Sequence, residues 1–497
     1  MRHATPRAWL PLVAALISMA HVGSPDTFFI GDAGPYRVRI SVRLPGVIPG
    51  RAQLAVRVVG ATKPDAFRVA ARAGQWNVGA AGAPPAEILT PVSGDPELYS
   101  AELWFMTATS YQLFVTVDGP SGQGAAVVPV LALATAQKTM DRPLGALLAA
   151  LGVFLTLGML TIVGCAVRES VVPPGVAPDG TRRRRARIAM TLAAVFLGLG
   201  LWSGSRWWSA EASSYGTSVL YRPFDAHAAI ASGNGRQRLT LSIHDPRWDG
   251  RPVARSRYNA LLPDHGKLMH LFMVREPSLD TLAHLHPVPR TPAAVDFDAD
   301  VPPLPSGRYR VYADIVHESG YAQTLVSRID VPGAASVASA AADPDDSWFE
   351  GAAIPDRPAS TFTFDDRATL EWARGERPVI AGEERLLAFS ARDASGAPLP
   401  VEPYMGMSAH VAIAHQDGSV FAHLHPSGSV SMAALQRFNE SRATAETLHA
   451  GHTMGADSAV SIPYAFPKAG PYRMWVQIKH AGRVRTAAFD VAVQPSR

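Results

Sequence analysis

The chain has 497 residues, 47% of them hydrophobic, which allows three or four domains with real cores. Its formal net charge is only +4 and its arginines gather in one run, which excludes the basic footprint of a nucleic-acid binder. The single cysteine, Cys165, lies inside an apolar run, which excludes an intrachain disulfide and a thiolate-liganded blue-copper site in the soluble part.

Residues 1–20 read as a signal peptide. Arg2 and Arg7 form a basic start, Ala8 to Ala20 an apolar run, and Ser18 with Ala20 a small-residue cleavage pattern. An uncleaved anchor is the plainer alternative. Cleavage after Ala20 would expose His21, whose amine and ring can chelate copper. Residues 22 to 143 hold no further histidine to complete such a site. Residues 21–140 alternate in short runs: Tyr36, Val38, Ile40 and Val42 share one face against Arg37, Arg39, Ser41 and Arg43. Leu54, Val56 and Val58 repeat the pattern, as does Tyr111 to Val117, and turn formers such as Pro45-Gly46 and Asp118-Gly119 separate the runs. This predicts an N-terminal β-sandwich.

Residues 143–167 form an uncharged apolar run long enough to cross a bilayer, and 188–204 form a second, shorter one. The connecting segment 168–187 carries Arg168, Arg182, Arg183, Arg184, Arg185 and Arg187, against Lys138, Arg142 and Arg206 on the outer flanks. The positive-inside rule places that loop in the cytoplasm and the soluble regions outside it. A nucleic-acid patch explains the arginines less well, because the loop is short and bounded by two spans. Trp202, Trp207 and Trp208 suit an interfacial belt. Residues 219–332 and 347–497 then read as two further β domains, joined by the Ala/Ser/Asp-rich linker 333–346. The predicted class is mainly β: three immunoglobulin-like sandwiches plus two transmembrane helices. The lipid bilayer is the first partner, and the location is a bacterial plasma membrane with the sandwiches on the periplasmic or extracellular side.

The two last domains are copies. Ala283-His284-Leu285-His286-Pro287 returns as Ala422-His423-Leu424-His425-Pro426. Gly307-Arg308-Tyr309-Arg310 answers to Gly470-Pro471-Tyr472-Arg473, 163 positions later, and the same offset sets His317 on His480. Four histidines recur, namely His270 with His410, His284 with His423, His286 with His425, and His317 with His480. Residues two apart share a strand face, so each His-x-His pair points one way. Asp417-Gly418 suits a two-residue hairpin loop that sets His410 opposite His425. The first copy has one more residue, suited to a three-residue loop at Pro277-Ser278-Leu279 with a bulge. Placing the strands from Tyr309 and Tyr472 beside those of His270 and His410 predicts one cluster per domain, at an edge of each sandwich.

Imidazole suits copper and zinc, and thioether adds a preference for copper. Met405 and Met407 precede His410, while His449, His452 and Met454 lie in an insertion peculiar to the second copy. Against this stands the bland reading: a lone His-x-His on a strand is usually a surface pair, alternating methionines are usually core, and duplication copies structural histidines as faithfully as ligands. Taken singly, His227, His244, His265, His415 and His449 read as solvated.

The segment from Gly382 through Asp393, Gly396, Tyr404-Met405-Gly406-Met407, His410 and the Ala-His-Leu-His-Pro motif to Gly470-Pro471-Tyr472-Arg473 resembles a widespread family of secreted bacterial β-sandwich modules, broadly similar to YtkA-like and FixH-like domains. A weaker analogy runs to CopC-like copper-resistance proteins through a terminal histidine. The resemblance covers both C-terminal domains and implies an extracytoplasmic immunoglobulin-like fold with a link to copper handling.

The resulting expectation is a membrane-anchored, extracytoplasmic transition-metal binder, copper first and zinc as the alternative, for sequestration or delivery to a membrane transporter or envelope protein. Its ligands would be His270, His284, His286 and His317 in one site and His410, His423, His425 and His480 in the other, with Met405 and Met407 as helpers. The rival is a non-enzymatic interaction or assembly module without metal. No Gly-x-Ser-x-Gly, His-Glu-x-x-His, Walker or paired-carboxylate signature supports an enzyme.

Overall fold

A computed structural model describes residues 26–173, 175–233, 235–244, 260–292, 295–333, 343–355, 358–439 and 459–496. The expected signal peptide, His21, most of the expected linker, and His449, His452 and Met454 lie outside the described residues. Strands take 48% of the chain and helices 19%, so the fold is mainly β.

The chain divides into two compact units. The larger holds residues 51–132 and 223–497 with the segment before Pro45, and the smaller holds Pro45–Gly50 with Leu133–Arg222.

In the larger unit, the N-terminal region forms a five-stranded and a four-stranded sheet. The alternation read in Tyr36–Arg43 is realised in part: Tyr36, Val38, Ile40 and Val42 are buried and Arg37 and Arg43 are exposed, but Ser41 on the polar face is buried too. Each His-motif region also forms two sheets over one core. In the first, Leu239, Leu241 and Phe297 of a four-stranded sheet meet Leu271, Met273, Val311 and Ala313 of a six-stranded one. In the second, Leu370, Leu387 and Ile462 meet Val411, Ile413, Met474 and Val476 in the same way.

The intervening residues of these strands point away from their own core, yet they are buried too. Phe272, Val274 and Tyr312 from the first region pack with Ala412, Ala414, Phe421 and Trp475 from the second. The two histidine-bearing sheets therefore pack outer face to outer face. Burial on both sides explains why these strands read as continuous apolar runs.

The hairpins that carry the histidines hold the expected register. His410–His415 pairs with Phe421–Leu424 through Val411 opposite Leu424 and Ala412 opposite His423. Gly418 closes that turn at φ 69°. His270–Arg275 pairs with Thr281–Leu285 from Leu271 opposite Leu285 to Val274 opposite Leu282, without the expected bulge. The extra residue is taken up in the turn, where Leu279 adopts φ 53° and its N–H donates to the Arg275 carbonyl (3.0 Å). The boundary drawn at residue 346 needs correction. Strand Ser347–Glu350 pairs with Thr281–Leu285 and so belongs to the sheet of the first copy.

In the smaller unit, helices α1 (Arg142–Glu169) and α2 (Gly180–Ser218) are long and apolar enough to cross a membrane. They meet closely at Gly164, where a Cβ would fall 2.5 Å from Met190 Sδ. α2 starts well before the expected span at 188–204 and absorbs the arginine run. Arginine is a good helix former, and the Asp179 carboxylate caps the helix by accepting from the Arg182 N–H at 2.7 Å.

Candidate metal centre

Because His270 and Phe272 alternate with core residues on their strand, their side chains leave the sandwich through its outer face, and the same holds for His284 beside His286. The second copy repeats this with His410, His423 and His425. Face-to-face packing of the two sheets then brings both sets together. The ring centroids of His270 and His423 are 5.2 Å apart, and those of His284 and His423 are 5.7 Å apart. This corrects the expectation of separate clusters at sandwich edges: the histidines occupy one buried layer between two sheets.

The contacts across this layer are exchanged in a two-fold manner. Asp314 and Gln477 are equivalent positions on the two long strands, Gly307–His317 and Gly470–His480, opposite His270 and His410 respectively. Gln477 Oε1 accepts from His284 Nδ1 of the other copy (2.8 Å), and Asp314 Oδ2 faces Nδ1 of His423 (3.3 Å). Arg310 donates to the Asp417 carbonyl in the second hairpin turn (3.1 Å), while Arg473 donates to the Leu279 carbonyl in the first (2.9 Å). Such reciprocity is what an isologous interface produces.

The outer partners of each ring fix its tautomer. His270 Nε2–H donates to the Asp264 carbonyl (3.1 Å), which leaves Nδ1 as a bare lone pair. The Tyr404 hydroxyl donates its one proton to the Asp345 carbonyl (2.8 Å), so it too accepts from His284 Nδ1–H at 3.3 Å. That leaves His284 Nε2 bare. These two lone pairs, His270 Nδ1 and His284 Nε2, face each other at 3.2 Å. The second copy repeats the arrangement. His410 Nε2–H donates to the Tyr404 carbonyl (3.2 Å), His423 Nδ1–H turns to Asp314, and His410 Nδ1 meets His423 Nε2 at 3.1 Å.

Two imidazole lone pairs so close repel unless a cation lies between them. Donors at 2.0–2.1 Å from a tetrahedral ion sit about 3.3 Å apart. A shared proton would serve less well, because it would create a buried imidazolium. Burial, and next the neighbouring histidines, hold His270, His284, His410 and His425 well below the usual imidazole range. Neutral imidazole is the ligand form.

Each pair has further donors. His286 Nδ1–H donates to Asp346 Oδ1 (2.8 Å), while its Nε2 is buried without a hydrogen-bond partner. A carboxylate behind a histidine is how metal proteins orient a ligand ring. His270, His284 and His286 have ring nitrogens within 4.8 Å of one another, and so do His265, His410 and His425. His265 Nε2 is buried without a hydrogen bond, 4.0 Å from Asp264 Oδ1, and neither ring nitrogen of His425 makes a hydrogen bond of normal geometry although the Val430 backbone lies beside it. Burial lowers the pKa of His265 as well. Each of these histidine groups could hold a metal ion. A third group, His286, Asp343 and Asp346, shares His286 with the first.

Residues 227–333 and 363–495 match a domain of unknown function (DUF8832). The matched segments take in every histidine of the buried layer and leave out the N-terminal sheets and both long helices. No curated protein matches the chain. Among solved structures it is similar to the tetra-tandem repeat of an extending region of a large adhesion protein, at 9% identity and TM-score 0.15, over 91% of this chain and 73% of that one. It is also similar to dimeric latent PorU from Porphyromonas gingivalis (9%, 0.15, 95% and 34%) and to a Parabacteroides merdae β-glucuronidase (7%, 0.16, 94% and 78%). Scores this low carry no inference.

Of the expected ligands, His270, His284, His286, His410, His423 and His425 are brought together. His317 and His480 are not. They lie three residues beyond Asp314 and Gln477, and an odd step turns a side chain to the opposite face of a strand. The His317 ring packs against Phe224 (5.8 Å) and Tyr321 (5.4 Å), and His480 Nδ1 donates to the Pro400 carbonyl (2.7 Å). Met405 and Met407 lie in the turn before His410. Met405 occupies the position that His265 takes in the first copy: both have positive φ (50° and 53°) and both precede a glycine. Contrary to the solvated positions expected for single histidines, the side chains of His265 and His415 are both buried. His415 is held by Asp417 and the Ala469 carbonyl (3.3 Å) outside either group. The signal for His265 was present in the repeat, since it stands five positions before His270 as Met405 stands before His410. Gln477 and Asp346 carried no such mark.

Proposed function

We propose that the protein is a membrane-anchored binder of transition-metal ions, copper first, which sequesters the ion outside the cytoplasm or delivers it to a membrane transporter or another envelope protein. The observation that carries this reading is the duplicated pair of facing imidazole lone pairs, at 3.2 and 3.1 Å. One ion would take His270 Nδ1, His284 Nε2 and His286 Nε2. The other would take His410 Nδ1 and His423 Nε2, with His425 and with His265 from the other copy. Zinc is the alternative, because an all-imidazole set suits either ion. Met405 and Met407 would favour copper if their sulfurs reach an ion. On the same reading the three two-sheet regions are immunoglobulin-like modules held outside the cytoplasm, with α1 and α2 as the anchor, and the chain carries out no catalysis.

The test is metal analysis of the full chain purified in detergent, beside a variant carrying His284→Ala, His286→Ala, His423→Ala and His425→Ala. Two equivalents of copper or zinc in the parent, lost in a variant that keeps its β circular dichroism, are expected. No binding of zinc or of copper in either oxidation state would overturn the reading and leave an interaction module whose histidines are scaffold.

A further inference from the structure

The two histidine groups differ in what closes them. Behind the first stands the segment Asp343–Asp346. Asp346 holds His286, Asp343 and Asp345 pair with Lys267, and Asp345 also pairs with Lys479 (3.3 Å). Tyr404 adds its bond to the Asp345 carbonyl. Asp343, Asp345 and Asp346 are thus each tied by an ion pair or hydrogen bond.

Behind the second group lies a cavity of about 140 Å³. His423 and His425 line one wall, and Thr27, Pro129 and Leu131 of the N-terminal region line another. Asp26, Asp264 and Asp314 are its charged residues, and no lysine or arginine lines it. A cation entering such a space meets three carboxylates, two imidazoles and neutral side chains such as Thr27, Gln323 and Ser431, with no positive charge among them, and His425, 3% exposed, has both ring nitrogens without a hydrogen bond of normal geometry there. Asp314 backs His423, so one carboxylate touches both the cavity and a candidate ligand.

The N-terminal region is bonded to the loop that follows His425. Ile30 N–H donates to the Ser427 carbonyl (2.9 Å), Ser429 N–H to the Phe28 carbonyl (2.9 Å), and Phe28 N–H to Ser429 Oγ (3.0 Å). Gly428, at φ 112°, permits this approach, since a Cβ there would lie 2.0 Å from the Phe28 carbonyl oxygen. Helix α3 (Met432–Asn439) completes the seam: Phe438 packs on Phe114 and Val127, and the Ala433 N–H donates to Asp264 Oδ1 (2.8 Å).

Resting on the metal reading above, we infer that the two centres have different roles: the first is a closed, retained site, and the second exchanges its ion through this cavity, with the N-terminal region as the wall that controls passage. This gives the N-terminal sheets a function that the family match does not reach.

The test follows ion release from the full chain, loaded with Cu(I) or Zn(II), into an excess of a coloured chelator. Two kinetic phases of equal amplitude are expected. Filling the cavity with Ala434→Phe, or from the opposite wall with Leu131→Trp, slows the fast phase by roughly tenfold or more and leaves the slow phase and the total ion count unchanged. Gly428→Val, which forces the N-terminal region off the loop, speeds the fast phase. If one plug variant fails to fold, the other decides. A single phase in the parent, or a fast phase that neither plug moves, overturns the inference while leaving metal binding intact. Absence of any bound ion overturns instead the reading on which it rests.

Discussion

At the scale of single residues, the buried layer works by division of labour around the rings of His270, His284, His286, His410 and His423: one nitrogen is tied outward and the other is left bare. Asp346 does this for His286, so Asp346→Ala is expected to weaken the first centre by about 10–100-fold while leaving the second as it was. Competition against a chelator of known affinity reads both. An equal loss at both centres would mean that the carboxylate acts through the fold and not through His286. The same rings set a pH dependence in the metal-free protein. The folded state holds His270, His284, His410 and His425 neutral well below 6.5, so between their folded values and 6.5 the unfolded chain binds more protons. Stability is therefore complete above about pH 6.5 and falls as the pH drops below it. Thermal midpoints measured at pH 7.5 and 5.5 should differ accordingly, and equal midpoints would contradict buried neutral rings. The repeat made six of these histidines legible, because a duplicated His-x-His on a strand fixes its own face. It misplaced His317 and His480 because sequence offset alone carries no parity: only the ladder shows that Asp314 and Gln477, three residues earlier, stand opposite His270 and His410.

At the scale of elements, the layer exists because two hairpins are apolar on both faces. Alternation in Tyr36–Arg43 announces one wet face, whereas His270–Arg275 and His410–His415 are buried almost throughout. That difference was visible in the sequence, but its meaning, sheet against sheet, needs both copies in space. Tyr312 stacks on Phe421 with centroids 4.1 Å apart and planes 10° apart, and Phe272 lies 5.1 Å from Phe421. Phe421 is thus the aromatic centre of the contact between copies. Phe421→Ala is expected to destabilise the chain by about 3–5 kcal/mol. It should also weaken both centres, because His265 reaches the second centre from the first copy, and Gln477 and Tyr404 of the second copy hold the His284 ring of the first. Denaturant unfolding with and without bound ion checks this. A stability loss with unchanged metal affinity would show that the ligand sets hold their geometry without the interface.

At the scale of the whole molecule, the buried histidines lie in one compact unit and the apolar helices in another, and the proposed function depends on which side of a membrane the histidines would face. α1 and α2 leave only a short turn between them, with Arg168 at one edge and Arg182, Arg183, Arg184, Arg185 and Arg187 at the other. Helix ends so basic resist translocation, which on the proposed reading would place the turn between them in the cytoplasm and the histidine layer outside. The single native cysteine makes the orientation measurable. In a Cys165→Ser background, Lys63→Cys in the N-terminal region should react with a membrane-impermeant thiol reagent in intact spheroplasts. Val176→Cys, in the turn between the helices, should react only after lysis. The opposite pattern would put the histidine layer in the cytoplasm and overturn the proposed envelope location. Labelling of both sites in intact spheroplasts would mean that the helices do not span the membrane, and the anchor would then have to be sought in how they pack.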